Sequence, residues 1–369
     1  MWTFHLPTKI HFGRGISKTL PEYPELSGQR ITIVTEKSVA KLDAVRTVID
    51  SLNHVAIFDK VQPNPTVENV DTLSELLRNK QAEIIVAVGG GSVLDCAKAS
   101  SFLATTSNPS IRSYHSEGKI LTGGRIPVIT VPTTAGTGSE VTPIAVLDDE
   151  EKQVKSPLSS PLFYPVSAVI DPDLTISVPI RVTAATALDA LSHALEGFWS
   201  KNHQPICDTL AKESARIILT HLGKLYENLD NPVLREHLAY AALLAGIAFQ
   251  MPKNAIIHAC SFPLSKHFHL PHGEACAFTM EAAIRLNTPF MEGRMEEFAF
   301  AAGFNSVAEI INTITVLKRR AGLPCTLREA SIDIDSIDLL VKESFHPLLN
   351  NNPKTITKTD LYRIYDELT

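Results

Sequence analysis

Short runs rich in isoleucine and valine alternate with helix-like stretches through the first half of this 369-residue chain, and then stop. The runs are RITIVTE (30–36), EIIVAVGGG (83–91), IPVITVPTT (126–134) and SAVIDP (167–172). Each is apolar throughout and ends in turn residues, which is how strands buried on both faces read. Between them, VENVDTLSELLRN (67–79) and SVLDCAKASSFLATT (92–106) have helical periodicity. The alternation predicts parallel β-α-β units in an open, doubly wound α/β sheet.

Strand signals end near residue 180. RVTAATALDALSHALEGFWS (181–200) predicts a helix capped by Thr183, PICDTLAKESARIILTHLGKLYENL (205–229) a second, and 233–250, 273–286 and 305–321 further ones. The expected organisation is a Rossmann-like α/β domain over 1–178 and an all-helical domain over 179–369, with the seam at 172–182 and each long enough for its own core.

An apolar fraction of 44% with 20% charged residues is that of a soluble globular protein. A net charge of −6 without basic clusters argues against nucleic-acid or membrane partners. Five cysteines, an odd number without C-x-x-C spacing, argue against a disulfide framework and a zinc ribbon. The start, MWTFHLPTKIHFG, lacks a signal-peptide pattern, and the longest nearly apolar run (239–251) is too short to span a bilayer, so a cytoplasmic protein is expected.

Two loops suggest a nucleotide. VAVGGGSVLDCAK (86–98) runs from strand through glycine turn to helix, where free amides suit a phosphate; a turn serving only the fold explains it equally well. VPTTAGTGSEVT (131–142) adds hydroxyls and bends after a second strand, and together the loops favour a ligand at the carboxyl ends of the strands. Glu36 ends the first strong strand, either as a ribose acceptor or as a solvated side chain.

DALSHALE (189–196) places Asp189 and His193 one turn apart on one helix face. That is a surface pair or half a metal site, and 254–277 adds His258, His267, His269 and His272. One carboxylate and two or three imidazoles can hold Fe or Zn with a position open for substrate.

These segments, with PTKIHFGRG (7–15), VPTTAGTGSEVTP (131–143), DPDL (171–174) and TALDALSHALE (186–196), resemble the iron-containing (group III) alcohol dehydrogenases. The resemblance covers most of the chain and fades after about residue 290. It implies a dinucleotide-binding domain, an all-helical metal domain of dehydroquinate synthase-like architecture, and catalysis in the cleft between them. The implied metal ligands are Asp189, His193, His258 and His272, holding Fe(II) with Zn(II) as the alternative. The implied NAD contacts are Gly89, Gly90, Gly91 and Ser92 with Asp95, then Thr133, Thr134 and Thr137, and Lys155 beside the ribose. Glu36 matches the acidic position that selects NAD over NADP. Many members carry a histidine four residues after the third ligand; here Phe262 takes that place, and His267 and His269 are either its substitutes or ordinary loop residues.

The implied reaction is metal-assisted hydride transfer between nicotinamide and a small primary alcohol or aldehyde. Residues 193–208 resemble the branch that reduces phosphonoacetaldehyde to 2-hydroxyethylphosphonate, with Lys201 as either an anion-holding cation or a solvated one. Simple aliphatic alcohols, a dehydroquinate synthase-type lyase using NAD transiently, and a non-catalytic relative are the competing readings. A homodimer is the oligomer considered.

Overall fold

The structure, a computed structural model, describes residues 1–369 as two compact units: 5–176, and 177–369 with the first four residues. In the first, the strands are β1 (Lys9–Phe12), β2 (Ile31–Val34), β3 (His54–Phe58), β4 (Ile84–Gly89), β5 (Val128–Pro132), β6 (Ile144–Asp149), β7 (Val154–Ser159) and β8 (Ser167–Ile170). Six form a sheet in the order β1-β8-β5-β4-β2-β3, with every pairing parallel. The chain leaves β2 to one side for β3 and returns to its other side for β4. That reversal makes the β2 and β4 carboxyl ends a topological switch point, where α/β sheets bind ligands.

Helices cover both faces, as double winding requires. Helix α1 (Asp43–Ser51) packs Val45, Val48 and Ile49 with Ile33, Val86 and Ile129. Helices α2 (Val67–Asn79) and α3 (Gly91–Leu103) pack on the other face with Ile85, Ala87 and Val128, followed by a single turn, α4 (Arg112–His115). Four strands escape the apolar-run pattern. Strands β1 and β3 are sheet edges, and β3 leaves Val55 and Ile57 exposed. The antiparallel β6–β7 pair carries Pro157 and an acidic turn, so it lacks a continuous apolar run.

The second unit is helical: α5 (Ile180–Trp199), α6 (Pro205–Leu225), α7 (Pro232–Phe249), α8 (Ile256–Phe268), α9 (His272–Asn287), α10 (Arg294–Ala301), α11 (Val307–Arg320), α12 (Ile337–Glu343) and α13 (Lys358–Asp366). Thr183 does not cap α5. The helix begins three residues earlier after Pro179, and the Thr183 hydroxyl instead donates to Val178 O (3.1 Å) and accepts from Arg235 (2.9 Å). No helix is long and apolar enough to cross a membrane.

Helix α5 is buried continuously from Ala187 to Trp199. Its alanines and one glycine let neighbours approach: a β-carbon on Gly197 would lie 3.0 Å from the Ala248 carbonyl oxygen of α7. The closest approach is at α9, where a β-carbon on Gly273 would lie 2.4 Å from the Ala185 carbonyl oxygen. Backbone cannot yield there without parting the two helices. Helix propensity alone favours alanine over glycine by about 1 kcal/mol, but overpacking of this kind costs roughly 1–3 kcal/mol and wins. Gly273→Ala is therefore expected to lower the melting temperature by several degrees in circular dichroism; an unchanged or raised value would show that α5 and α9 separate freely.

Candidate functional site

A helix buried all round can carry polar side chains only where something satisfies them. Helix α5 carries three such residues on one face, Asp189, His193 and Glu196, at positions i, i+4 and i+7. His258 comes from the first turn of α8 and His272 is the first residue of α9. Asp189 Oδ1 lies 4.0 Å from His193 Nε2, 3.8 Å from His258 Nε2 and 3.7 Å from His272 Nε2. The Nε2 atoms of His193 and His258 are 3.0 Å apart. The structure thus brings all four residues together. Asp189 Oδ1 is buried and accepts no hydrogen bond.

This arrangement fits a divalent metal. Donors bound at about 2.0–2.2 Å around a tetrahedral ion stand roughly 3.3–3.6 Å apart, close to the observed separations. Burial pushes the Asp189 carboxyl up to about 6. Burial also works against charge on His258, but Cys276 and Glu196 beside it outweigh that and raise its pKa well above the ordinary histidine value.

Glu196 completes the geometry and is absent from the residues expected from sequence. Its Oε2 accepts from His258 Nδ1 (2.7 Å) and its Oε1 from the Ile257 amide (2.6 Å), with the residue fully buried. A carboxylate on Nδ1 holds a proton there, so that Nε2, facing Asp189, is the nitrogen a metal would take in place of a proton. The signal was in DALSHALE itself, where Glu196 shares the helix face of the two expected ligands. Phe249 stacks on His193 at 4.1 Å and 10°, holding that ring in place.

Other singled-out residues have partners outside these four. His267 pairs with Glu343 (2.7 Å), and His269 is the left-handed C-cap of α8. Phe262 packs edge-on against His346 at 4.9 Å. Lys201 sits on an exposed turn beyond α5, its amide bonded to Asn351 O (2.8 Å).

In the α/β unit, Gly89 ends β4, Gly90 caps α3 and Gly91 opens it. A β-carbon on Gly91 would lie 2.6 Å from the Thr137 methyl, and one on Gly90 3.6 Å from the Thr134 hydroxyl, so the two loops are in contact. Thr133 joins them through its amide to Gly89 O (3.0 Å). Asp95 is a brace: one oxygen accepts from the Ser139 hydroxyl and Lys98 (3.1 Å), the other from the Val146 amide (2.8 Å). Lys98 is fully buried and also donates to Ser139 O (2.9 Å), Ser139 Oγ (2.6 Å) and Ile144 O. Burial lowers its pKa and pushes nearby Glu140 up to about 7. Asn64, in the left-handed region at φ 56°, accepts from Lys155 Nζ (3.0 Å), and its amide donates to Ser92 Oγ (3.2 Å). Lys155 and Ser92 therefore meet through a residue that sequence gave no reason to single out. Glu36 is half-buried just past β2, accepting from the Ser38 hydroxyl.

Two family models match this chain: iron-containing alcohol dehydrogenase over residues 7–172, and the C-terminal domain of the Fe-containing alcohol dehydrogenase family over 183–369. The 1-propanol dehydrogenase PduQ of Salmonella typhimurium is 31% identical, with all of both chains covered. The choline dehydrogenase of Bacillus subtilis is 33% identical, covering 98% of this chain and 94% of its own. The crystal structure of sulfoacetaldehyde reductase from Bifidobacterium kashiwanohense, in complex with NAD+, superposes with a TM-score of 0.94 at 39% identity, covering 100% and 98%. The chain belongs to the iron-containing alcohol dehydrogenase family and is an oxidoreductase.

Partners that orient a metal-binding histidine typically contribute ten- to a hundredfold in metal affinity. Glu196→Gln, which removes the charge and leaves one acceptor oxygen for the two donors His258 Nδ1 and Ile257 N–H, is expected to lose divalent metal to a chelator about ten- to a hundredfold more readily, with an unchanged far-ultraviolet spectrum. Equal retention would remove Glu196 from the centre.

Proposed function

We propose that the protein is an NAD(H)-dependent reductase of a small aldehyde bearing a terminal anionic group, working at a metal held by Asp189, His193, His258 and His272. The observation that carries the metal reading is the convergence of three imidazole Nε2 atoms on the buried, unbonded Asp189 Oδ1. When bound, the metal supplies Lewis acidity at the substrate oxygen and nicotinamide supplies or accepts hydride. The chain's own residues hold and orient. Glu196 keeps the proton on His258 Nδ1, and Phe249 fixes the His193 ring.

On the nucleotide side, the Gly89–Ser92 turn and the Thr133–Thr137 loop offer amides and hydroxyls to phosphate. Lys98 and Asp95 hold those loops together, and Lys155 with Asn64 stands over the start of α3. Glu36 beside the adenosine ribose would repel a 2′-phosphate, an effect of about 1–3 kcal/mol, or about ten- to a hundredfold in affinity. Family membership favours this dehydrogenase chemistry over the lyase alternative.

The anionic substrate is supported by the 39% identity to a sulfoacetaldehyde reductase, against 31% and 33% for the propanol and choline dehydrogenases named above. Sulfoacetaldehyde and phosphonoacetaldehyde share a two-carbon aldehyde with an acidic end. Lys201, on an exposed turn, is read as a solvated cation rather than as the group that holds the anion.

Steady-state rates with NADH and NADPH on sulfoacetaldehyde, phosphonoacetaldehyde and propanal test the whole reading. Expected are at least a tenfold preference for NADH, higher kcat/KM on an anionic aldehyde than on propanal, and no change in that ratio for Lys201→Ala. Equal efficiency on all three aldehydes would make a simple aliphatic aldehyde the substrate class, and equal use of NADPH would remove Glu36 from cofactor selection.

A further inference from the structure

Cys276 follows His272 by four residues on α9, so its side chain leaves the same helix face one turn on. Its sulfur lies 3.8 Å from His272 Nε2. One donor atom each from Asp189, His258, His272 and Cys276 fall within 4.8 Å of one another. The thiol is buried, with its sulfur within 4.8 Å of each of the three other donors. A sulfur at about 2.3 Å and a nitrogen at about 2.0–2.1 Å from one ion stand roughly 3.1–3.6 Å apart. The observed 3.8 Å needs a few tenths of an ångström of closure.

We infer that Cys276 is itself a metal ligand, its thiolate joining Asp189, His193, His258 and His272 in a mixed nitrogen, oxygen and sulfur centre. The inference rests on the metal reading under Proposed function. On ligation the S–H bond breaks, a sulfur–metal bond forms and the proton leaves to bulk buffer, with no change of oxidation state. A thiolate is a softer donor than imidazole or carboxylate, so it moves the centre's preference toward Zn(II) and Co(II) relative to Fe(II). The bland role for a buried cysteine is that of a small hydrophobe, which predicts no sulfur–metal bond.

Co(II) separates the two. The full-length protein is stripped with a chelator and reloaded with Co(II). The expected spectrum combines visible d–d bands with a near-ultraviolet sulfur-to-cobalt charge-transfer band. That second band is lost in Cys276→Ser and Cys276→Ala and kept in Cys260→Ser, which removes another buried cysteine of the same unit. Cobalt bound with d–d bands but no charge-transfer band in the wild type overturns Cys276 ligation and leaves the metal centre standing. A charge-transfer band surviving in Cys276→Ser also overturns it. No cobalt uptake by the wild type overturns the metal reading itself.

Discussion

A carboxylate oxygen buried without a hydrogen bond is expensive, and Asp189 Oδ1 sets the terms for the helical unit. It stands on a helix with protein on every side, facing three imidazole nitrogens 3.7–4.0 Å away. Oxygen and nitrogen lone pairs aimed at one point repel unless a proton or a metal cation lies between them, and four donors around one point suit the metal. The surrounding architecture serves that convergence. Gly273 lets α9 approach α5 at Ala185, one turn before Asp189, and so brings His272 into range. Glu196 sets the tautomer of His258, and Phe249 fixes the plane of His193.

The α/β unit solves a different problem with similar economy. Two polar loops after neighbouring strands must keep their backbone groups available without losing their shape. A fully buried lysine does this: Lys98 gathers oxygens from Asp95, Ser139 and Ile144, tying the second loop and the hairpin to α3. Removing one member of such a network strands the others, which makes it rigid as well as costly to alter.

Much of this was legible in the sequence because it is local. The four central strands, the helices α2, α7, α9 and α11, the glycine and threonine loops and the Asp189–His193 spacing all follow from periodicity and residue type. Elements defined by distant contacts were not legible. The edge strands β1 and β3 lack two buried faces, and Thr183 looked like a cap because the sequence hides that Pro179 begins the helix. Asp95 matches a cofactor position, and its bonds to Ser139 and Val146, residues more than forty positions away, could not be seen in the sequence. Glu196 lay in plain sight. Its role depended on His258, sixty-two residues on, which no helical wheel can show.

Anaerobic calorimetric titration of the metal-stripped protein with Fe(II) tests the Asp189 centre most directly. One equivalent is expected to bind to the wild type and none, at the same concentrations, to Asp189→Ala with its fold intact. Undiminished one-to-one binding by the variant would contradict a metal centre built around that oxygen.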